Sequence, residues 1–163
     1  MIQKPDSLIF DMDGTLWDAT DSYMACWNIA LKHKNIDRVM DRVTLDSMMG
    51  WEQKRVFSTL FPEKSSKEQE ELMNFIASVQ DEQLPILGGR LYEGVYEGLM
   101  QLSKKYKLFI VSNCPEFTIK QMMKWANIEE FITDEFAHGV NYMPKSHNIK
   151  LLVEKHSLVT QFT

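Results

Sequence analysis

Two aspartates separated by one residue, Asp11 and Asp13, stand directly behind the apolar run Leu8-Ile9-Phe10, and Gly14 and Thr15 follow at once. Further along, Ser112 and Asn113 close a second apolar run, Leu108-Phe109-Ile110-Val111, and Lys145 follows the stretch Asn141-Tyr142-Met143-Pro144. Two carboxylates, a hydroxyl, an amide and an ammonium form a set suited to phosphoryl transfer. An ionised carboxylate attacks phosphorus to form an acyl phosphate, splitting one hard displacement into two easier ones; Asp11 is the candidate nucleophile. A second carboxylate of raised pKa protonates the leaving oxygen and then deprotonates the hydrolytic water; Asp13 is the candidate acid and base. Two anions repel a phosphate dianion, so the set calls for a hard divalent cation. Mg²⁺ is the usual one at phosphate sites, and Asp11 and Asp13 are its candidate ligands. Lys145 and the Ser112 hydroxyl would hold the remaining phosphate oxygens, while Gly14 lets backbone approach the ligand closely.

Those residues need a scaffold that gathers them at one edge. Ser7-Leu8-Ile9-Phe10 reads as a buried strand ending in a polar loop. From Asp18 to about Lys34, Tyr23, Trp27, Ala30 and Leu31 recur at three and four residues, which predicts an amphipathic helix capped by Asp18, Thr20 or Asp21. Helices are predicted at roughly 41–48, 52–60 and 66–83, separated by Gly50 and by Phe61-Pro62 with a Ser65-Ser66 cap. Beyond Pro85 and Gly88-Gly89 the pattern changes. Val95 to Lys105 reads as helix, Lys107 to Val111 as strand, Thr118 to Ala126 as helix, Phe131 to Thr133 as a short strand and His147 to His156 as helix. Alternating strand and helix predicts an α/β fold, a Rossmann-like parallel sheet with ligands beyond the carboxyl ends of its strands. The helical stretch after Leu16 is about 70 residues, far beyond the usual ~2–6-residue loop of a βα unit, so it reads as an inserted α-helical cap. The predicted division is a core of residues 1–16 and 89–163 with a cap at 17–88.

The composition fits one folded body. In 163 residues there are 18 Lys plus Arg against 23 Asp plus Glu, a formal net charge of -5, and 44% hydrophobic residues. No basic run recommends a nucleic-acid or anionic-membrane surface, and the cluster Glu68, Glu70 and Glu71 reads as a solvated helix face. No apolar run reaches the ~20 residues of a membrane span. Two cysteines, Cys26 and Cys114, are too few for a disulfide framework, and the N-terminus lacks a signal-peptide pattern, so the cytoplasm is the expected compartment. Cys114 and the eleven methionines are expected to fill core. The four histidines make no zinc set and are expected at surface or loop positions. Trp17 and Trp27 are expected to anchor the cap, with the site entrance as an equal reading for Trp17.

Leu8-Ile9-Phe10-Asp11-Met12-Asp13-Gly14-Thr15-Leu16, then Phe109-Ile110-Val111-Ser112-Asn113, then Lys145, closely resembles the first three signature motifs of the haloacid dehalogenase superfamily. The insertion after the first motif is similar to the small helical cap of its phosphoglycolate phosphatase and β-phosphoglucomutase branch. The resemblance implies Asp11 as nucleophile, Asp13 as general acid and base, and Ser112 with Lys145 as phosphate holders. Asn113, with Gly14 and Thr15 of the first loop, would bind substrate. The dehalogenases that name the superfamily lack an Asp where Asp13 stands, so the resemblance implies hydrolysis of phosphate esters. It implies a Mg²⁺-dependent phosphatase acting on a small phosphorylated metabolite, with phosphomutase activity as an alternative. Met48-Met49-Gly50-Trp51-Glu52-Gln53-Lys54-Arg55 resembles the substrate-selecting loop of such caps, which would bring Lys54 or Arg55 into the site; a solvated helix face is an equal reading.

The family's fourth motif, one or two acids behind a further strand, has no counterpart after the helix ending near His156. Behind Lys145 the only acid is Glu154, and the family's strand order would put Asp134 and Glu135 roughly two strand spacings of ~4.8 Å from Asp11. The chain therefore reads as C-terminally truncated relative to the family. Two expectations follow: Mg²⁺ is weakly held and turnover low or absent, and the Leu8–Phe10 strand becomes an apolar edge; a catalytically impaired member that binds a phosphorylated ligand or partner is the alternative to the phosphatase. Val159 to Thr163, or a second copy in a homodimer, would cover that edge.

Overall fold

The computed structural model describes residues 5–159. The apolar run after the first polar residues forms β1 (Ser7–Phe10). It pairs in parallel with β4 (Lys107–Ser112), and β4 pairs in parallel with β5 (Asp134–Ala137), giving the order β1-β4-β5. The register sets Phe10 opposite Ile110 and Ser112 opposite Ala137, so the three strands end at one edge. Parallel pairing requires crossovers. Helix α5 (Val95–Leu102) precedes β4, α6 (Thr118–Ala126) links β4 to β5, and α7 (Lys145–Lys155) follows β5. β4 is buried from Leu108 through Ser112, as a central strand flanked on both sides must be. Its Phe109 and Val111 pack with Leu152 and Leu158 into a core that Ile9, Phe136, Ile149 and Val153 extend. β1 is half-buried along its length and, among the described residues, pairs with β4 alone. Of the Val159 to Thr163 segment expected to cover it, residues 160–163 lie outside the described residues, and Val159 is exposed.

The chain forms two compact units, one holding the residues up to Trp17 and from Leu91 onward, the other Asp18–Arg90. Strands β2 (Trp17–Asp18) and β3 (Arg90–Leu91) pair as a short ribbon where the chain enters and leaves the second unit. That unit is α1 (Thr20–His33), α2 (Arg42–Ser47), α3 (Gln53–Leu60) and α4 (Ser66–Leu87). The three- and four-residue spacing of α1 places Trp27 and Leu31 in a core with Phe57, Phe61, Leu72 and Ile76, and the Trp27 and Phe57 rings stack at 5.1 Å. Ser65 and Glu68 close a reciprocal capping box at the start of α4. Among the described residues no helix is long and apolar enough to cross a membrane.

Three expectations are corrected. α4 does not stop before Pro85 but runs through it to Leu87. Pro85 lacks only the N–H of the last turn, and Gly88, at φ 63°, ends the helix with its N–H on the Leu84 carbonyl. The strand expected at 131–133 lies at 134–137, because Glu129–Phe131 winds into a 3₁₀ turn and the Thr133 N–H on the Leu108 carbonyl starts the ladder. Two acidic residues opening β5 hide it from a reading of apolar runs. Asp134 is held there by Lys155 Nζ at 2.8 Å and His156 Nε2 at 2.7 Å, so His156 is not a surface residue; its ring packs 4.9 Å from that of Phe109.

Asp18 ties the helical unit at its base. Its side chain is 5% exposed and accepts from the Thr20 N–H (3.2 Å), Arg42 Nη2 (2.7 Å) and Arg90 Nη2 (3.0 Å). Arg42 also meets Asp21 at 2.9 Å and Asp46 at 3.4 Å. Burial alone would raise the Asp18 carboxyl, but the hydrogen bonds from Arg42, Thr20 and Arg90 outweigh it and hold the group well below the usual carboxylate range. A depressed folded-state pKa adds stability that is present above the unfolded value of about 4 and is lost as pH falls towards the folded one. Asp18→Asn should lower stability by about 2 kcal/mol at neutral pH, and urea midpoints of the two proteins should draw progressively closer as pH falls below about 4.

Gly139 locks together the loops beyond β4 and β5. Its N–H donates to the Cys114 carbonyl at 3.1 Å, and a Cβ built on it would meet the Glu116 amide nitrogen and lie 2.9 Å from the Pro115 carbonyl carbon. Backbone atoms cannot turn aside as a side chain does. Gly139→Ala should therefore destabilise the protein by about 2 kcal/mol, read as a lower Tm in thermal unfolding.

Candidate active site

Asp11 directly follows β1 and opens a tight turn built on one carbonyl. The Met12 C=O accepts the N–H groups of Thr15 (3.2 Å), Leu16 (2.9 Å) and Trp17 (3.3 Å), and Met12 itself is fully buried. The turn needs Gly14 at φ 73°, a conformation that L side chains rarely adopt. It leaves Asp11 and Asp13 half-buried, with Gly14 and Thr15 exposed beside them. The Asp11 carboxylate is held through Oδ1, which accepts the Met12 N–H at 2.8 Å and lies 2.7 Å from Lys145 Nζ. Among the described residues its Oδ2 has no hydrogen-bond or ion-pair partner. Lys145 is the first residue of α7, after the extended Pro144, and this junction delivers its ammonium to Asp11.

Ser112 ends β4 and is buried, and its hydroxyl donates to Asp13 Oδ2 across 3.5 Å. At that length the bond is weak. Asn113 follows, half-buried. Cys114 is buried as expected of a packing residue. Burial, with the Asp13 charge adding to it, pushes its thiol far up, so it stays protonated and is no nucleophile. The structure thus brings Asp11, Asp13, Ser112 and Lys145 together at the carboxyl edge of the sheet, with Gly14, Thr15 and Asn113 on the same loops. Arg55 belongs to the helical unit, where its guanidinium lies 3.8 Å from the centre of the Trp51 ring. There it lines a cavity of about 470 Å³ with Lys54, Ser58, Gln69, Glu70 and Met73. Trp17 is buried, as is Trp27 in the helical core.

Asp134 and Glu135 are committed elsewhere, Asp134 to Lys155 and His156 and Glu135 to Lys120 at 3.7 Å. Among the described residues, no group of three His, Cys, Asp or Glu side chains is placed to hold a metal. Mg²⁺ at phosphate sites commonly takes only one or two carboxylates, with water and substrate oxygens completing the shell. As the resemblance implies, Asp11 would supply one such carboxylate and Asp13 its main-chain carbonyl, with water and substrate oxygens filling the rest of the shell. The donor set fits a hydrated Mg²⁺ and not a closed protein cage. One feature of the site has no counterpart in the sequence reading: Gly139, whose missing Cβ lets the β5 loop seat against the β4 loop. Only the contact between residues far apart in the chain reveals its part.

Comparison with known proteins bears on the family and the fold. The family model described as haloacid dehalogenase-like hydrolase matches residues 8–153. No curated protein matches in sequence. Among solved structures, a haloacid dehalogenase-like family hydrolase from Streptococcus pneumoniae superposes with a TM-score of 0.84 at 21% identity, over 96% of this chain and 72% of its own. A protein from Clostridium acetobutylicum described as a predicted phosphatase gives 0.83 at 16% identity, over 96% and 72%. One from Haemophilus somnus described as a predicted phosphoglycolate phosphatase gives 0.77 at 19% identity, over 97% and 74%. These likenesses establish a shared fold, and the family match, which includes Asp11, Asp13, Ser112 and Lys145 in its span, establishes that the chain belongs to the haloacid dehalogenase-like hydrolases.

Proposed function

We propose that this protein is a Mg²⁺-dependent phosphatase that hydrolyses a small phosphorylated metabolite through an aspartyl-phosphate on Asp11. The observation that carries the reading is the asymmetry of the Asp11 carboxylate. Oδ1 is pinned by the Met12 N–H and Lys145, and Oδ2 is left to attack phosphorus. In that reaction the Oδ2–P bond forms as the ester P–O bond breaks, and Asp13 gives its proton to the leaving alkoxide. Asp13 then takes a proton from the water that cleaves the acyl phosphate, returning both carboxylates to their starting state. Lys145 and Ser112 hold the equatorial oxygens as charge builds on them. Bound by Asp11 and Asp13, Mg²⁺ would neutralise the phosphate dianion facing two carboxylates. The free, buried thiols of Cys26 and Cys114 support a cytoplasmic setting for this chemistry.

A second reading, a member that binds a phosphorylated ligand or partner without turnover, is favoured by the absence of a third acid at the candidate metal site among the described residues. The half-buried β1 edge supports, in either case, a homodimer joined through that strand.

Release of inorganic phosphate from an aryl phosphate separates the two. The phosphatase reading expects release that requires Mg²⁺, falls at least about 10³-fold in Asp11→Asn, and falls about 10²-fold in Lys145→Ala. Absence of release from the folded chain, or release insensitive to Asp11→Asn, rejects it.

A further inference from the structure

Among the described residues, five non-glycine residues have positive φ. Three of them, Asn35, Asn127 and Ser157, sit just past the ends of α1, α6 and α7, where a left-handed residue is the ordinary way to finish a helix. The other two are bulky aromatics: Phe117 at φ 69°, which stands just before α6, and Tyr142 at φ 57°, which follows the 3₁₀ turn His138–Val140. A bulky aromatic at positive φ is a conformational outlier, and such strain persists where the surrounding structure holds it for a purpose. Burial is not that purpose, because Phe117 is 57% exposed and Tyr142 71%.

Their positions give a common purpose. Phe117 stands on the loop that leaves β4 behind Ser112 and Asn113, and Tyr142 on the loop that leaves β5 and leads into Lys145. Gly139 seats the second loop on Pro115 and Glu116 of the first, so the two strained positions belong to one clasped pair of loops at the carboxyl edge of the sheet. Tyr142 is further held by its N–H on the His138 carbonyl at 2.8 Å and by the His138 ring, edge-on at 5.8 Å. Val140 and Met143 are exposed beside it. Exposed aromatics on the loop that leaves Ser112 and on the loop that leads into Lys145 are suited to the part of a ligand that is not phosphate.

We infer that Phe117 and Tyr142 are specificity-determining residues, an aromatic rim that contacts the organic group of the phosphomonoester and selects a planar, apolar one. The inference rests on the site being a phosphate site, but not on turnover. Small, wholly polar phosphoesters then leave the rim unused.

Titration calorimetry of the full chain with Mg²⁺ present, using phenylphosphonate and methylphosphonate, tests it without hydrolysis, since both carry an uncleavable P–C bond. Phenylphosphonate should bind about tenfold more tightly. Phe117→Gly and Tyr142→Gly should each bring the two dissociation constants together while leaving that of methylphosphonate and the Tm in place, because glycine is at ease at positive φ. Asparagine at either position, also tolerant of that conformation, should give the same result. Equal binding of the two phosphonates, no binding of either, or a preference that survives in both glycine variants overturns the rim. Selective binding without Asp11-dependent phosphate release would reject the phosphatase reading and leave the rim standing.

Discussion

A single ion pair organises the core. Lys145 Nζ and the Met12 N–H converge on one oxygen of Asp11, and for that to happen β1, β4 and β5 must end at the same edge and α7 must begin directly above it. An ammonium 2.7 Å from a carboxylate oxygen neutralises it and fixes its rotamer, which turns a flexible side chain into one with a designated free oxygen. At about one third exposure of both side chains, the pair contributes little to stability for its own sake. Its value lies in position, since a carboxylate held in one orientation has less entropy to lose in whatever contact its other oxygen makes.

The rest of the core serves that geometry. β4 is buried along nearly all of its length because helices and neighbouring strands must hold it rigid, and its last residue is the Ser112 that meets Asp13. On the other side of the sheet from β1, Asp134 is held by Lys155 and His156, so α7 is fastened at its far end as well as at Lys145. The helical unit follows a separate logic, with its own aromatic core around Trp27, Phe57 and Phe61 and its own electrostatic tie at Asp18. Each unit buries enough apolar surface to hold its shape, which is what allows an insertion of this size within a short βα connection.

Much of this is legible in the chain. Apolar Leu8 to Phe10 followed at once by Asp11, Asp13 and Gly14 marks a strand, a loop and a chemical purpose within a few residues, and α6 is found at Thr118 to Ala126 as its periodicity predicts. Such features are local: hydrophobic period, capping chemistry and turn residues act over one or two turns of chain. β5 was hidden for the same reason, since its opening Asp134 and Glu135 are unfavourable in a strand until Lys155, His156 and Lys120 reach them from α7 and α6. Pro85 within α4 likewise shows a local signal overruled by the rest of a long, well-packed helix.

By itself, then, the sequence determined the parts: which residues can do phosphoryl chemistry, that they sit behind strands, and that a helical insertion follows the first of them. The tertiary structure decided the relations among those parts. It chose which Asp11 oxygen Lys145 occupies, placed β5 beside β4, seated Gly139 against Pro115, and held Phe117 and Tyr142 at positive φ. Each of these depends on groups brought together by loop closure over tens of residues, and no local pattern records which distant backbone will meet which side chain.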